Sequence, residues 1–210
     1  MSDVIPKWTH FVALNVEKTS LHHVLMAKQR EIIRKIPELV EYKVPPTRLH
    51  LTIAVARAGN VPEYKMVEAV RRTCVNLDMG DLLVLSSGGL NRFNDTVLVE
   101  TLRSERGRLF HLHNSIMNSL QEVGCVTEKA KYRSHITLFR TSDAQGRSLN
   151  ESIVLPPQQF DQQFRRYNGQ ASISLMRMGK LEPGTPRKIW CSTEEAESGN
   201  NEPRDDNTMN

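Results

Sequence analysis

Arg48-Leu49-His50-Leu51-Thr52-Ile53 and Arg133-Ser134-His135-Ile136-Thr137-Leu138 read as two copies of one strand. Side chains two apart on a strand project to the same face. His50 and Thr52 therefore project together, while Leu49, Leu51 and Ile53 go to the opposite face. In the second copy His135 and Thr137 share one face, and Ile136 and Leu138 the other. Each strand has an apolar side that calls for burial and a side carrying an imidazole beside a hydroxyl. A lone histidine between apolar neighbours is ordinarily a hydrogen-bonded structural residue. Two copies, each after a basic residue and inside an apolar strand, are hard to explain by packing alone.

Working outward, the chain alternates strand and helix patterns. Phe11 to Val16 is a short apolar strand, followed by a helical stretch with Leu21, Leu25, Ile32 and Ile36 at helix spacing and a stop at Pro37. A Pro45-Pro46 turn feeds the strand Leu49 to Ala56. Pro62 opens a second helix with Met66, Val70 and Cys74 on one face. Leu82–Leu85 and Thr96–Leu102 read as strands, separated by a Gly88-Gly89 turn and an Asn94-Asp95 hairpin signal. A third helix is expected from about Ser104 to Gly124, with Leu109, His113, Ile116 and Leu120 inward. Ser134 to Arg140 is the next strand. A loose polar stretch, 141–158, and a short helical piece precede the last strands, Ser172–Met178 and Ile189–Ser192. No Gly-rich phosphate loop follows any strand, so a nucleotide-binding parallel sheet is not supported. The order favours an α+β fold with mainly antiparallel sheet, and the two halves resemble each other.

The 210 residues are 39% apolar and 25% charged, which excludes collagen-like, wholly disordered and coiled-coil chains. No run approaches the ~18 apolar residues of a membrane span, and Met1 to Lys7 lacks the pattern of a secretory signal. Cys74, Cys125 and Cys191 are scattered, which argues against a disulfide framework and a zinc site and for a reducing compartment, cytoplasmic or nuclear. The net charge of +4 hides an acidic end. Residues 194–210 hold Glu194, Glu195, Glu197, Glu202, Asp205 and Asp206 against Arg204 alone. That tail is expected to be disordered, leaving residues 1–193 as one basic domain suited to an anionic ligand.

Paired His-x-Thr strands resemble the signature of the 2H phosphoesterase superfamily, the LigT-like enzymes. Thr9-His10-Phe11, Arg48 to Ile53 and the closing Leu175-Met176-Arg177-Met178-Gly179-Lys180 look closest to one branch of it. That branch contains the A-kinase anchoring protein central domain and the activating signal cointegrator 1 complex subunit 1. The resemblance spans roughly Trp8 to Ser192. It implies a bilobal α+β fold, two mainly antiparallel sheets flanked by helices around a central cleft. It also implies a phosphodiesterase that needs no metal or other cofactor. No RNA-binding module precedes the domain and the tail offers no amphipathic helix, so kinase anchoring is not expected.

The chemistry explains the pairing. Cleaving a phosphodiester requires a proton taken from the attacking oxygen and another given to the leaving oxygen, and two imidazoles can do both. His50 and His135 are the candidate base and acid, in an order the sequence leaves open. Thr52 and Thr137 are placed to hydrogen-bond the non-bridging phosphate oxygens. Phe139 continues the His135, Thr137 alternation and is a candidate to stack on a base, as are Phe11, Tyr132 and His10. Arg133 and Arg140 are candidates to meet phosphate. His22-His23 read as surface residues. The branch resemblance makes a 2′,5′-linked oligoadenylate the favoured substrate. Behind it stand a 2′,3′-cyclic phosphate, an RNA 3′ end to be trimmed, and a module that binds an adenine nucleotide or RNA end with little catalysis. The protein is expected to act as a monomer, away from membranes.

Overall fold

Pro37 ends the first helix as the sequence requires, because the residue before a proline is driven out of helical geometry: Ile36 sits at φ −138°, ψ 80°. That helix, α1 (Ser20–Lys35), follows directly on strand β1 (His10–Thr19) and buries Leu21, Leu25 and Ile32. These and the following elements come from a computed structural model, which describes residues 8–75, 77–93, 97–128, 130–140, 164–179 and 185–193. Two 3₁₀ turns, Pro37–Tyr42 and Pro46–Arg48, lead into β2 (His50–Arg57). Helices α2 (Glu63–Cys74) and α3 (Met79–Leu82) precede β3 (Val84–Phe93) and β4 (Val97–Ser104). Then come α4 (Arg108–Glu122), β5 (Val126–Thr127) and β6 (His135–Phe139). β7 (Arg165–Arg166), β8 (Gly169–Arg177) and β9 (Lys188–Cys191) complete the described elements. The Asn94-Asp95 turn, the stretch 141–158 and the acidic tail 194–210 lie outside the described residues.

Among the described residues the strand pairings are all antiparallel, in the order β7-β3-β4-β6-β2-β1-β8-β9, with β5 pairing β2. The α+β, antiparallel, two-part reading holds. Its two sheets are the halves of one curled sheet, β7-β3-β4-β6 and β2-β1-β8-β9, joined through the pair Leu51↔Ile136. Leu14, Leu51, Ile136 and Ile173 meet across the strands and are all fully buried, so the seam is sealed by apolar packing. Among the described residues no helix is long and apolar enough to cross a membrane.

Three local expectations are corrected. Leu82 ends α3 and the strand starts at Val84, because Asp78 caps α3 by accepting the Gly80 N–H. Gly88 and Gly89 do not make a turn; they run within β3 through a bulge between Ser87 and Leu90. A Cβ on Gly88 would lie 3.0 Å from Thr101, so this glycine lets β3 approach β4 closely. The third helix starts at Arg108 instead of Ser104, because Arg106 and Gly107 adopt left-handed backbone at φ 52° and 68°.

Gly169 pairs with Thr19 at the start of β8, at φ +122°. A Cβ there would meet the Lys18 carbonyl oxygen at 2.3 Å and Thr19 Cα at 2.7 Å. Gly169→Ala is expected to cost at least about 2 kcal/mol, since both the backbone region and the contact exclude a side chain. Urea unfolding checks this, and an unchanged midpoint contradicts it.

Candidate active site

The register that joins the two half-sheets builds the site. Leu51 faces Ile136 in an antiparallel pair, so one residue further in each direction sets His50 opposite Thr137 and Thr52 opposite His135. The neighbouring strands extend these rows: Asn15 pairs with His50 and Ala13 with Thr52 on one side, Val99 with Thr137 and Thr101 with His135 on the other. His50, Thr52, His135 and Thr137 line one cavity of about 130 Å³ with Val44, Arg48 and Arg140. Two guanidinium groups and no carboxylate border it among the described residues, so the space suits an anion.

Both imidazoles are held the same way. His50 Nδ1 lies 2.8 Å from the Arg48 carbonyl oxygen, and His135 Nδ1 lies 2.7 Å from that of Arg133. A carbonyl can only accept, so each Nδ1 carries the hydrogen, and both rings line the cavity. Burial holds the His50 pKa below its ordinary value of 6.5, and the positive charge of Arg140 and the neighbouring His135 act in the same direction; the Arg48 carbonyl opposes them.

The two motif strands share more than composition. β6 runs half-buried, buried, half-buried, buried, buried, and the first five residues of β2 do the same. In each, the residue after the motif threonine is a bulge. The β1 register passes from Ala13↔Thr52 to Val12↔Ala54 and skips Ile53; the β4 register passes from Val99↔Thr137 to Leu98↔Phe139 and skips Leu138. Both bulged carbonyls are taken from behind by a helix side chain. His113 Nδ1 of α4 donates to Ile53 O at 2.6 Å, and Gln29 Nε2 of α1 donates to Leu138 O at 2.9 Å. Val44 N–H also donates to Leu138 O. Buried carbonyls displaced from a ladder need such partners.

The bulge at Leu138 corrects the reading of Phe139. Strict alternation puts its ring beside His135 and Thr137, but the extra residue resets the pleat and Phe139 is fully buried in the core. It presents no face to a base. Tyr132 stacks flat on His113, with ring centres 4.2 Å apart, against α4 and not the cavity. Arg133 supplies the carbonyl that orients His135, while its exposed side chain is outside the cavity lining. His10 is buried and bonded to Thr9 and Glu63. His22, expected at the surface, is buried too and donates to the Pro46 carbonyl, tying α1 to the turn before Arg48. Phe11 does reach the site, its ring 5.2 Å from that of His50.

Phe11 opens a second, larger space of about 490 Å³ that shares Arg48, His50, Thr52 and Arg140 with the first. Val55, Met176 and Met178 give it apolar walls, with Asn15 and Arg187 at its polar positions. Asn15 was within reach of the sequence, two strand steps from Phe11 through Ala13. Gln29 was too, as a polar residue on the Leu21, Leu25, Ile32 stripe that burial obliges to find partners. Met176 and Arg187 depend on which strands become neighbours, and no local pattern marks them.

Two half-sheets meeting at paired His-x-Thr strands describe a 2H phosphoesterase. The chain belongs to the family described as the AKAP7 2'5' RNA ligase-like domain, whose model matches residues 8–184, a branch of that superfamily. Solved structures share the fold at low identity. One described as a phosphoesterase is 20% identical at TM-score 0.53, covering 89% of this chain and 98% of that one. E. coli LigT complexed with ATP is 16% identical at 0.53, covering 88% and 97%. The MHV ns2 PDE domain is 14% identical at 0.53, covering 81% and 99%.

The environment of His50 is directly measurable. Its imidazole is expected to titrate below 6.5 by NMR, and Arg140→Gln to move it back upward by removing a like charge. A titration at or above the ordinary value contradicts this description of the site.

Proposed function

We propose that the protein is a metal-independent phosphodiesterase that cleaves RNA-type phosphodiesters, with 2′,5′-linked oligoadenylate as its substrate. The observation that carries the reading is the seam, which sets two imidazoles and two threonine hydroxyls around one cation-bordered cavity. The phosphate occupies that cavity, with Thr52 and Thr137 donating to its non-bridging oxygens and Arg48 and Arg140 offsetting its charge. The adjoining apolar space holds the base against Phe11. Fold relatives crystallised with ATP, 3'-AMP and NADP+ support an adenine nucleotide there. The matched family's description supports the 2′,5′ linkage.

His50 is the base. Its lowered pKa keeps it neutral near pH 7, so Nε2 offers a lone pair. It takes the proton of the free 3′-hydroxyl as that oxygen bonds to phosphorus. The bond from phosphorus to the 5′-oxygen breaks, and His135, protonated, gives the leaving oxygen its Nε2 proton. A 2′,3′-cyclic phosphate and a free 5′-hydroxyl result, and exchange with water resets both imidazoles. The threonines stabilise charge on the non-bridging oxygens through the transition state, so their contribution falls on kcat.

His50→Ala and His135→Ala are each expected to lower kcat/KM at least about a hundredfold, the scale of losing one positioned acid or base. The rate should trace a bell against pH. Because the base must be deprotonated and its pKa is lowered, the rising limb should be centred below 6.5. Chelators should leave the rate unchanged. Near-normal turnover in either variant removes that histidine from the mechanism.

A further inference from the structure

The apolar space beside His50 does not end at the nucleotide it would hold. Asn15, Thr47, Met176 and Arg187 line it and also line a further cavity of about 440 Å³ on the β1–β8–β9 face. The two adjoin at these four residues, each within the range of about 300–1,000 Å³ typical of small-ligand sites. The registers say why the groove runs this way. Phe11 pairs with Met176 and Met176 with Lys188, so Lys188 shares the face on which Phe11 approaches His50. Lys18 pairs with Gln170 at the far end of the same strands.

The outer cavity is unlike the first. Among the described residues Lys18, Arg187 and Lys188 line it against one carboxylate, Glu17, and Gln170 and Ser172 add neutral hydrogen-bonding groups. The Arg187 guanidinium is held in place by the carbonyl oxygens of Arg177 and Gly179 at 2.9 Å each, so its position is fixed by neutral acceptors. β9 lies three strands from β2, about 14 Å along the sheet at the usual strand spacing. Lys188, on that strand, is too far away to serve the phosphate between the histidines.

We propose that this outer groove is a second subsite that takes the next phosphate and nucleoside of a single-stranded oligonucleotide, so that the protein prefers chains of three or more units to a dinucleotide. Lys18 and Lys188 meet the additional phosphate, and Arg187 stands between the inner and outer parts. The inference rests on the phosphodiesterase reading for where the chain begins, and a positively charged groove tracking the backbone is the usual way a single strand is held.

The test uses binding, so that it does not depend on turnover. Fluorescence anisotropy of the full-length His50→Ala/His135→Ala protein is measured with labelled 2′,5′- and 3′,5′-adenylate dimers, trimers and tetramers. The trimer is expected to bind about tenfold more tightly than the dimer of the same linkage. Adding Lys18→Gln and Lys188→Gln should abolish that ratio and reduce the salt slope for the trimer by about 0.7 per lysine, the single-strand value. Lys35→Gln, on an exposed lysine paired with Glu31 on α1, is the charge control and should leave the ratio intact. Equal affinity for dimer and trimer, no affinity for either, or a ratio that survives the double lysine change overturns the subsite. Wild-type cleavage of the dimer with no trimer preference would remove the subsite and leave the catalytic reading standing. Trimer preference in binding without any cleavage by the wild type would do the reverse.

Discussion

One backbone pairing, Leu51 with Ile136, carries the geometry of this molecule. Because strand side chains alternate, a slip of one residue at that seam would turn His50 and Thr52 away from His135 and Thr137. The register is secured by burial. Leu51 and Ile136 are fully inaccessible and continue into Leu14 and Ile173 on one side. Exposing them by a slip would cost on the order of 1.5–3 kcal/mol for each side chain. The apolar face of the motif therefore fixes what the polar face can do.

The second constraint follows each threonine. Ile53 and Leu138 are bulged in the same place of their motifs, and a helix side chain meets each carbonyl, His113 in one half and Gln29 in the other. Bulges increase local twist and re-aim neighbouring side chains. Here they send Ala54 and Phe139 into the core just after the His-x-Thr residues, and each motif strand gains a brace from behind. Tyr132 links the His113 brace behind one motif strand to the approach of the other, since it stacks on His113 and lies three residues before His135. Catalytic groups on rigid strands with hydrogen-bonded backing lose little to reorganisation during reaction.

The legible part of this architecture was the part written in local period. Both motif strands, the apolar faces of α1 and α2, and the antiparallel α+β order follow from residue spacing alone. Phe139 was misread because a bulge is invisible to a rule of two. Gly88-Gly89 looked like a turn, although the close approach to Thr101 that demands glycine is a property of strand neighbours. His22 and Tyr132 find their partners, the Pro46 carbonyl and the His113 ring, far along the chain. Met176 and Arg187 reach the site only because β8 lies beside β1 and β9 pairs with β8. What the sequence withheld was tertiary adjacency, and the groove that extends the site depends on it throughout.

The most direct measurement is product analysis of the purified protein incubated with paired 2′,5′- and 3′,5′-linked adenylate trimers. The His50→Ala/His135→Ala protein is run alongside. The account predicts that the 2′,5′ trimer is shortened to fragments ending in a 2′,3′-cyclic phosphate, and that the double variant leaves it intact. Cleavage that persists in the double variant, or a wild-type protein that leaves both trimers whole, would contradict it.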